Sequence, residues 1–399
     1  MAKKLSKLAL RLRSMTVFRG LLEDPVIASL IRCLERLSGG PERFVPAYGE
    51  LVARLYQAGY VNLTCYIRDR VFESDNVYIR EMGAGRLPDK LLLDGTVLDL
   101  ETLSDAAALD AARLLAEANC TLPLARFEGK KVNLTNEYGE RAKEVAKFGY
   151  GIYAGHPMFC LDSAGHIRPV QSPDPVRLSS LAGYQREKAA IMGNTLALLK
   201  GKPAANMLLT GDAGTGKSST VKAVANELWQ QGLRILEVRK EQLHLLPAVL
   251  GQLNENPLKF ILFIDDLSFQ QDDDDFSALK AMLEGSVSAK SRNVAIYATS
   301  NRRHLVKEKF SDREGDEVHR QDAMQEIISL SERFGLRVTF QRPDKATYLS
   351  IVRQLAAGCS LPLEDEALCA GAERFALGRS SRSARAARQY IDELLSQAE

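Results

Sequence analysis

The sequence predicts an α/β fold: a parallel sheet covered on both faces, with a helical appendix after it and a mixed region before it. Three observations carry this. Short apolar runs at residues 206–210, 234–238, 260–264, 294–299 and 336–340 alternate with helical stretches. In residues 218–231, for example, Val221, Val224, Ala225 and Leu228 share one face and Gly232 stops the run; strands alternating with helices imply a parallel sheet. Beyond Pro343 the strand pattern ceases, and residues 344–357, 364–377 and 380–396 read as three helices. Ahead of the sheet, turn signals crowd residues 149–157 and 172–175, which sets a boundary near residue 175. The expected division is residues 1–175, 176–342 and 343–399.

The first region reads as mixed α/β. Residues 21–37 have helical apolar spacing and stop at Gly39 and Gly40, and residues 103–118 are rich in Ala and Leu and read as a helix. Residues 60–71 and 77–79 are enriched in Tyr, Val, Thr and Ile and read as strands. The opening segment is basic (Lys3, Lys4, Lys7, Arg11, Arg13, Arg19), but charges recur every few residues, so it reads as a solvated first helix and not a signal peptide. No apolar run is long enough for a membrane span.

Composition narrows the function classes. Net charge is +2, from 53 basic and 51 acidic residues, so overall charge demands neither nucleic acid nor a membrane surface. The six cysteines, Cys33, Cys65, Cys120, Cys160, Cys359 and Cys369, include no CxxC pair and no histidine at metal-ligand spacing. They are expected as buried free thiols in a reducing cytoplasm.

The strongest chemical signal is Gly211, Asp212, Ala213, Gly214, Thr215, Gly216, Lys217 and Ser218, followed by Ser219. It matches GxxxxGK[ST] at every fixed position, after a strand and at the start of a helix. Glycines let the backbone wrap phosphate oxygens with its N–H groups inward, and the helix N-terminus adds positive potential. Lys217 would reach the outer phosphates, and the Ser218 hydroxyl would ligate Mg²⁺. The bland alternative is a Gly-rich turn that fits by chance.

A second signal follows. The apolar run 260–264 leads into Asp265 and Asp266. A central strand buries such a run and presents the acids at its C-terminal edge, beside the phosphate loop. Asp265 would hold Mg²⁺ through water, and Asp266 would orient or deprotonate the attacking water. The bland alternative is a strand followed by a capped helix with both acids solvated.

From about residue 178 to the C-terminus, these motifs and their order resemble the AAA+ superfamily of P-loop ATPases. More narrowly, residues 212–222, 263–269, 297–305 and 329–335 resemble a bacterial family of predicted ATPases filed as a domain of unknown function. The resemblance implies a P-loop NTPase sheet with a C-terminal helical lid, binding and hydrolysis of ATP with Mg²⁺, and a homo-oligomer. It implies that residues 181–185, with Tyr184, pack near the base. Thr299 or Asn301 would touch the outer phosphate or the water. Arg333 would act as a finger in the neighbouring subunit's site. Arg382 is the first choice for the lid arginine and Arg385 the second.

One departure stands out. Active members of the superfamily mostly carry Glu where this chain has Asp266, and a carboxylate set back by about 1 Å can cost on the order of 10²-fold in rate. Glu284 or another acid could substitute.

As for the partner, residues 237–247 contain neither an aromatic residue nor Gly, whereas threading unfoldases place an aromatic-Gly loop there. Arg302, Arg303, His304, Lys307 and Lys309 form a basic cluster. With no aromatics interleaved, it reads as a nucleotide-side or subunit surface and not a nucleic-acid platform. The acidic run 272–275 reads as a solvated loop. The expected function is a cytoplasmic ATPase that drives conformational change in a macromolecular partner, protein before nucleic acid. The alternatives are an ATP-gated switch with little turnover and a DNA-associated loader.

Overall fold

The computed structural model describes residues 2–267, 279, 283, 292–301, 332–359, 364–379 and 382–397. The chain forms two compact units, Met1–Gly155 and His156–Glu399.

The first unit is helical, which corrects the expected mixed α/β region. Its helices are α1 (Ala2–Arg13), α2 (Pro25–Arg36), α3 (Pro41–Gln57), α4 (Leu63–Glu73), α5 (Val77–Gly83), α6 (Lys90–Ala107), α7 (Ala111–Glu117), α8 (Leu134–Lys143) and α9 (Val145–Phe148). The two segments expected as strands are α4 and α5. Capping overrode strand propensity: Asn62 accepts the Cys65 N–H at 3.1 Å and Asn76 accepts the Ile79 N–H at 3.0 Å, each satisfying a free donor of the first turn. The buried set Leu63, Tyr66, Ile67 and Val71 also repeats with helical spacing. The single helix expected over 103–118 is two, because Asp110 caps α7 by accepting the Arg113 N–H at 2.7 Å. Helix α1 is not merely solvated. Leu5, Leu8, Ala9 and Leu12 lie in the core of this unit, while Lys7, Arg11 and Arg13 face outward.

One carboxylate organises the turn after α1. Asp99 Oδ2 accepts the backbone N–H groups of Thr16, Val17 and Phe18 at 2.9, 2.8 and 3.1 Å, and Asp99 is only 6% exposed. Three successive donors would otherwise be left without a partner in a poorly solvated place.

The second unit carries a seven-stranded sheet of order β2-β1-β4-β5-β6-β3-β7. The strands are β1 (Met158–Leu161), β2 (Ile167–Pro169), β3 (Met207–Gly211), β4 (Leu233–Val238), β5 (Lys259–Ile264), β6 (Val294–Ser300) and β7 (Leu336–Phe340). All neighbours are parallel except β1 with β2. The five expected strands are β3 to β7. The hairpin β1–β2 lies in the stretch read as linker, and β1 pairs with β4, so the unit begins at His156, ahead of the expected boundary near 175. Asp162 shapes the hairpin turn, its Oδ1 accepting the N–H groups of Ala164 and His166 at 3.0 and 2.8 Å.

Helices α10 (Gln185–Leu199), α11 (Lys217–Leu228) and α12 (Leu246–Asn254) belong to the sheet layer. Residues 260–264 of β5 are wholly buried, as a central parallel strand covered on both faces requires. Helices α13 (Lys345–Ala357), α14 (Asp365–Gly378) and α15 (Ala384–Gln397) follow β7 and share a separate core that includes Tyr348, Ile351, Val352, Leu368 and Ile391. No described helix is long and apolar enough to cross a membrane. All six cysteines are free. Contrary to the expectation of buried thiols, Cys33 alone is fully buried, and burial pushes its thiol up to about 12.

Asp99→Ala removes the acceptor of three N–H groups and is expected to destabilise the chain by about 3 kcal/mol. Denaturant unfolding measures this, and a loss below about 1 kcal/mol would show that the turn finds other acceptors.

Candidate functional site

The site begins where β3 ends. At Gly211, φ is +139°, and a Cβ there would stand 2.1 Å from the carbonyl oxygen of Phe340 in neighbouring β7. Only glycine fits so close an approach. Gly214 and Gly216 have φ of +79° and +92°, and Gly216 is the cap of α11. The loop therefore folds back over the start of α11.

Lys217, the first residue of α11, is 5% exposed. Its ammonium donates to Gly211 O at 2.7 Å, Asp212 O at 2.9 Å and Asn301 Oδ1 at 3.0 Å. Burial holds its pKa below the ordinary lysine value, against the opposing pull of Asp265, Asp212 and Asp266. Ser218 Oγ donates to Asp265 Oδ1 at 2.6 Å, and Thr299 Oγ1 donates to the same oxygen at 2.5 Å. The end of β6 thus joins the phosphate loop to the acids that follow β5. Asn301 completes the link: its Nδ2 donates to Asp266 Oδ1 at 2.7 Å while its Oδ1 accepts from Lys217. Asp266 has φ of +53°, and its N–H donates to Thr299 Oγ1 at 2.9 Å.

These groups line one part of a cavity of about 520 Å³. Its other walls come from Asp174, Val176, Ser180, Leu181, Ala182, Tyr184 and Lys188, and from Ile351 and Leu355 of α13. Tyr184 is left-handed at φ +57°; its hydroxyl donates to Gln341 O at 2.8 Å and its ring lies 5.0 Å from that of Phe340. Burial raises the Tyr184 phenol to about 12. Lys188 donates to the Leu181 carbonyl. Helix α15 closes the cavity with Arg385, Arg388 and Gln389, and the Arg385 N–H donates to Gly214 O at 3.1 Å.

Sequence-picked residues are therefore brought together unevenly. Ala213, Gly214, Thr215, Gly216, Lys217, Ser218, Ser219, Asp265, Asp266, Thr299, Asn301 and Tyr184 line the cavity. The first choice for the lid arginine does not: Arg382 pairs with Glu373 of α14 at 3.1 Å, and Lys345 holds the same carboxylate oxygen at 3.5 Å. The second choice, Arg385, lines the cavity. Arg333 is half-buried and lies outside it. Arg388 and Gln389 went unread, although Arg388 stands three residues after Arg385, on the same helical face. Residues 302–309, 272–275, Glu284 and 329–331 lie outside the described residues.

The phosphate-loop strand β3 is separated from the acid-bearing β5 by β6, whose end supplies Thr299 and Asn301, and a helical bundle follows the last strand. That order and that site are those of a P-loop α/β sheet followed by a C-terminal helical lid. The chain belongs to the family described as "Protein of unknown function (DUF815)", whose model matches residues 156–398. Among solved structures, the Holliday junction branch migration motor RuvB of Thermotoga maritima is similar at 14% identity and a TM-score of 0.33, over 55% of this chain and 72% of that one. A comparison with curated proteins returns no match.

Gly211→Ala is expected to destabilise the second unit by about 3 kcal/mol or more, because strand β7 cannot yield to the added carbon without losing its pairing. A melting temperature equal to that of the unaltered chain would contradict the close approach.

Proposed function

We propose that the chain binds ATP with Mg²⁺ and hydrolyses it, moving the lid α13–α15 against the sheet to drive a change in a macromolecular partner. One observation carries the reading. A buried ammonium, a hydroxyl–carboxylate pair and a second carboxylate are joined through Thr299 and Asn301 at one end of a cavity roofed by arginines.

The residues fit the group. Positive φ at Gly211, Gly214 and Gly216 folds the loop back over the start of α11, with β7 packed against Gly211 and Arg385 and Ser383 against Gly214, and Ser218 with Asp265 is an all-oxygen donor set suited to a hard divalent cation. When bound, Mg²⁺ would neutralise phosphate charge. Lys217 would exchange its loop carbonyls for phosphate oxygens. Asp266 would orient water, with Asn301 fixing its carboxylate. Arg385, in place of Arg382, would meet phosphate from the lid, and Arg333 would serve a neighbouring subunit. The near-neutral charge favours a protein partner over nucleic acid, and we propose a soluble, cytoplasmic protein that assembles as a homo-oligomer so that Arg333 can act in trans.

A second reading, an ATP-gated switch with little turnover, is favoured by the short side chain of Asp266, already engaged by Asn301.

Steady-state hydrolysis against protein concentration separates the two. Lys217→Ala is expected to lose ATP binding. Asp266→Asn should keep binding and lose about 10²–10³-fold in turnover. Arg333→Ala should lose about 10³-fold. Arg385→Ala should lower turnover more than Arg382→Ala. If the unaltered chain binds ATP but turns over no faster than Lys217→Ala, hydrolysis is excluded and the switch stands. If the Arg382 and Arg385 variants trade places, the lid assignment is wrong.

A further inference from the structure

The cavity wall at residues 174–182 belongs to no strand, so its shape depends on what holds its backbone. Two adjacent side chains in the last turn of α11 do so. Asn226 Nδ2 donates to Asp174 O and to Val176 O, at 2.8 Å each. Glu227 Oε1 accepts the Leu178 N–H at 3.0 Å. Both side chains are half-buried. An amide nitrogen offers two donors and can span two carbonyls, while a carboxylate oxygen is the natural acceptor for an N–H. From the lid side, Arg388 Nη2 stands 3.5 Å from Ser180 O.

Helix α11 thus works at both ends. Its first residues are Lys217 and Ser218, and its anchors for the wall lie about 14 Å further along one rigid rod. The wall contributes Asp174, Val176, Ser180, Leu181 and Ala182 to the same cavity that Lys217, Asp265 and Asp266 line. If phosphates occupy the loop, the nucleoside faces this wall.

We infer that Asn226 and Glu227 are positioning residues for the nucleoside: they set the wall against which the base lies, and so set base affinity and the preference for ATP over GTP, without touching phosphate. This rests on the nucleotide-binding reading. The two readings separate because a triphosphate without a base probes the loop alone.

The test is equilibrium binding of ATP, GTP and inorganic triphosphate, each with Mg²⁺, to the full chain. Asn226→Asp keeps the size of the side chain but removes both donors; Glu227→Ala removes the acceptor; Glu227→Gln keeps an acceptor. The first two are expected to weaken ATP about tenfold and to shrink the ATP-to-GTP ratio, with triphosphate affinity and melting temperature held, while Glu227→Gln stays within about twofold of the unaltered chain. Triphosphate falling in parallel with ATP would mean a merely structural role and overturns the inference. So does an unchanged ATP-to-GTP ratio, or equal affinity of the unaltered chain for ATP and GTP. An unaltered chain that binds neither ATP nor triphosphate sinks the nucleotide reading itself, and this inference with it.

Discussion

A lysine ammonium enclosed by protein must be given oxygen atoms, because a buried charge without partners costs several kcal/mol. Much of the second unit follows from meeting that demand at Lys217. Two of its three oxygens are carbonyls of its own loop, Gly211 and Asp212, so the loop must curl back over the helix it precedes. The curl needs positive φ at Gly211, Gly214 and Gly216, and it presses Gly211 against Phe340 of β7. The third oxygen belongs to Asn301, beyond the end of β6. The order of the sheet, with β6 and β7 on either side of β3, is thus what brings an amide to one side of the loop and a bare backbone to the other.

The lid is tied to the same loop by backbone. The Arg385 N–H meets Gly214 O, and Ser383 Oγ accepts the Ala386 N–H at 3.1 Å, capping α15 just where it reaches the loop. Arg382 acts at one remove. Through Glu373 and Lys345 it links α14 to the start of α13 and the approach to α15. Two arginines three residues apart thus divide: Arg382 pairs with Glu373, and Arg385 lines the cavity.

That division marks the limit of what could be read in advance. The sheet, the loop, the acids and Asn301 were legible because each rests on local chemistry: short apolar runs, glycine spacing, and a polar residue at a strand end. Strands β1 and β2 were obscured because the turn signals at residues 149–157 and 172–175 flank them, so the short hairpin between, with Asp162 in its turn, reads as linker. The first unit misled in the opposite direction. Tyr, Val and Ile at residues 60–79 favour strands, but Asn62 and Asn76 are helix caps, and cap chemistry together with a helical burial pattern outweighed propensity. Asn226 and Glu227 carried no motif at all. Their partners are backbone atoms some fifty positions earlier in the chain, and only the fold brings them together.

Asp266 draws these strands of argument together. Its backbone is left-handed, a conformation that aspartate and asparagine adopt more readily than other residues with a Cβ. The turn is held by Thr299, which accepts the Asp266 N–H on its hydroxyl and the Leu267 N–H on its carbonyl at 2.7 Å. Leu267 is fully buried, so the turn is pinned on both sides. In that turn the short side chain of aspartate already reaches Asn301 at 2.7 Å. A glutamate would need a different rotamer or a different turn to make the same bond, and the turn is not free to change. The departure from Glu is therefore matched by its backbone, and Asp266, Thr299 and Asn301 form one unit whose geometry Lys217 holds from the other end.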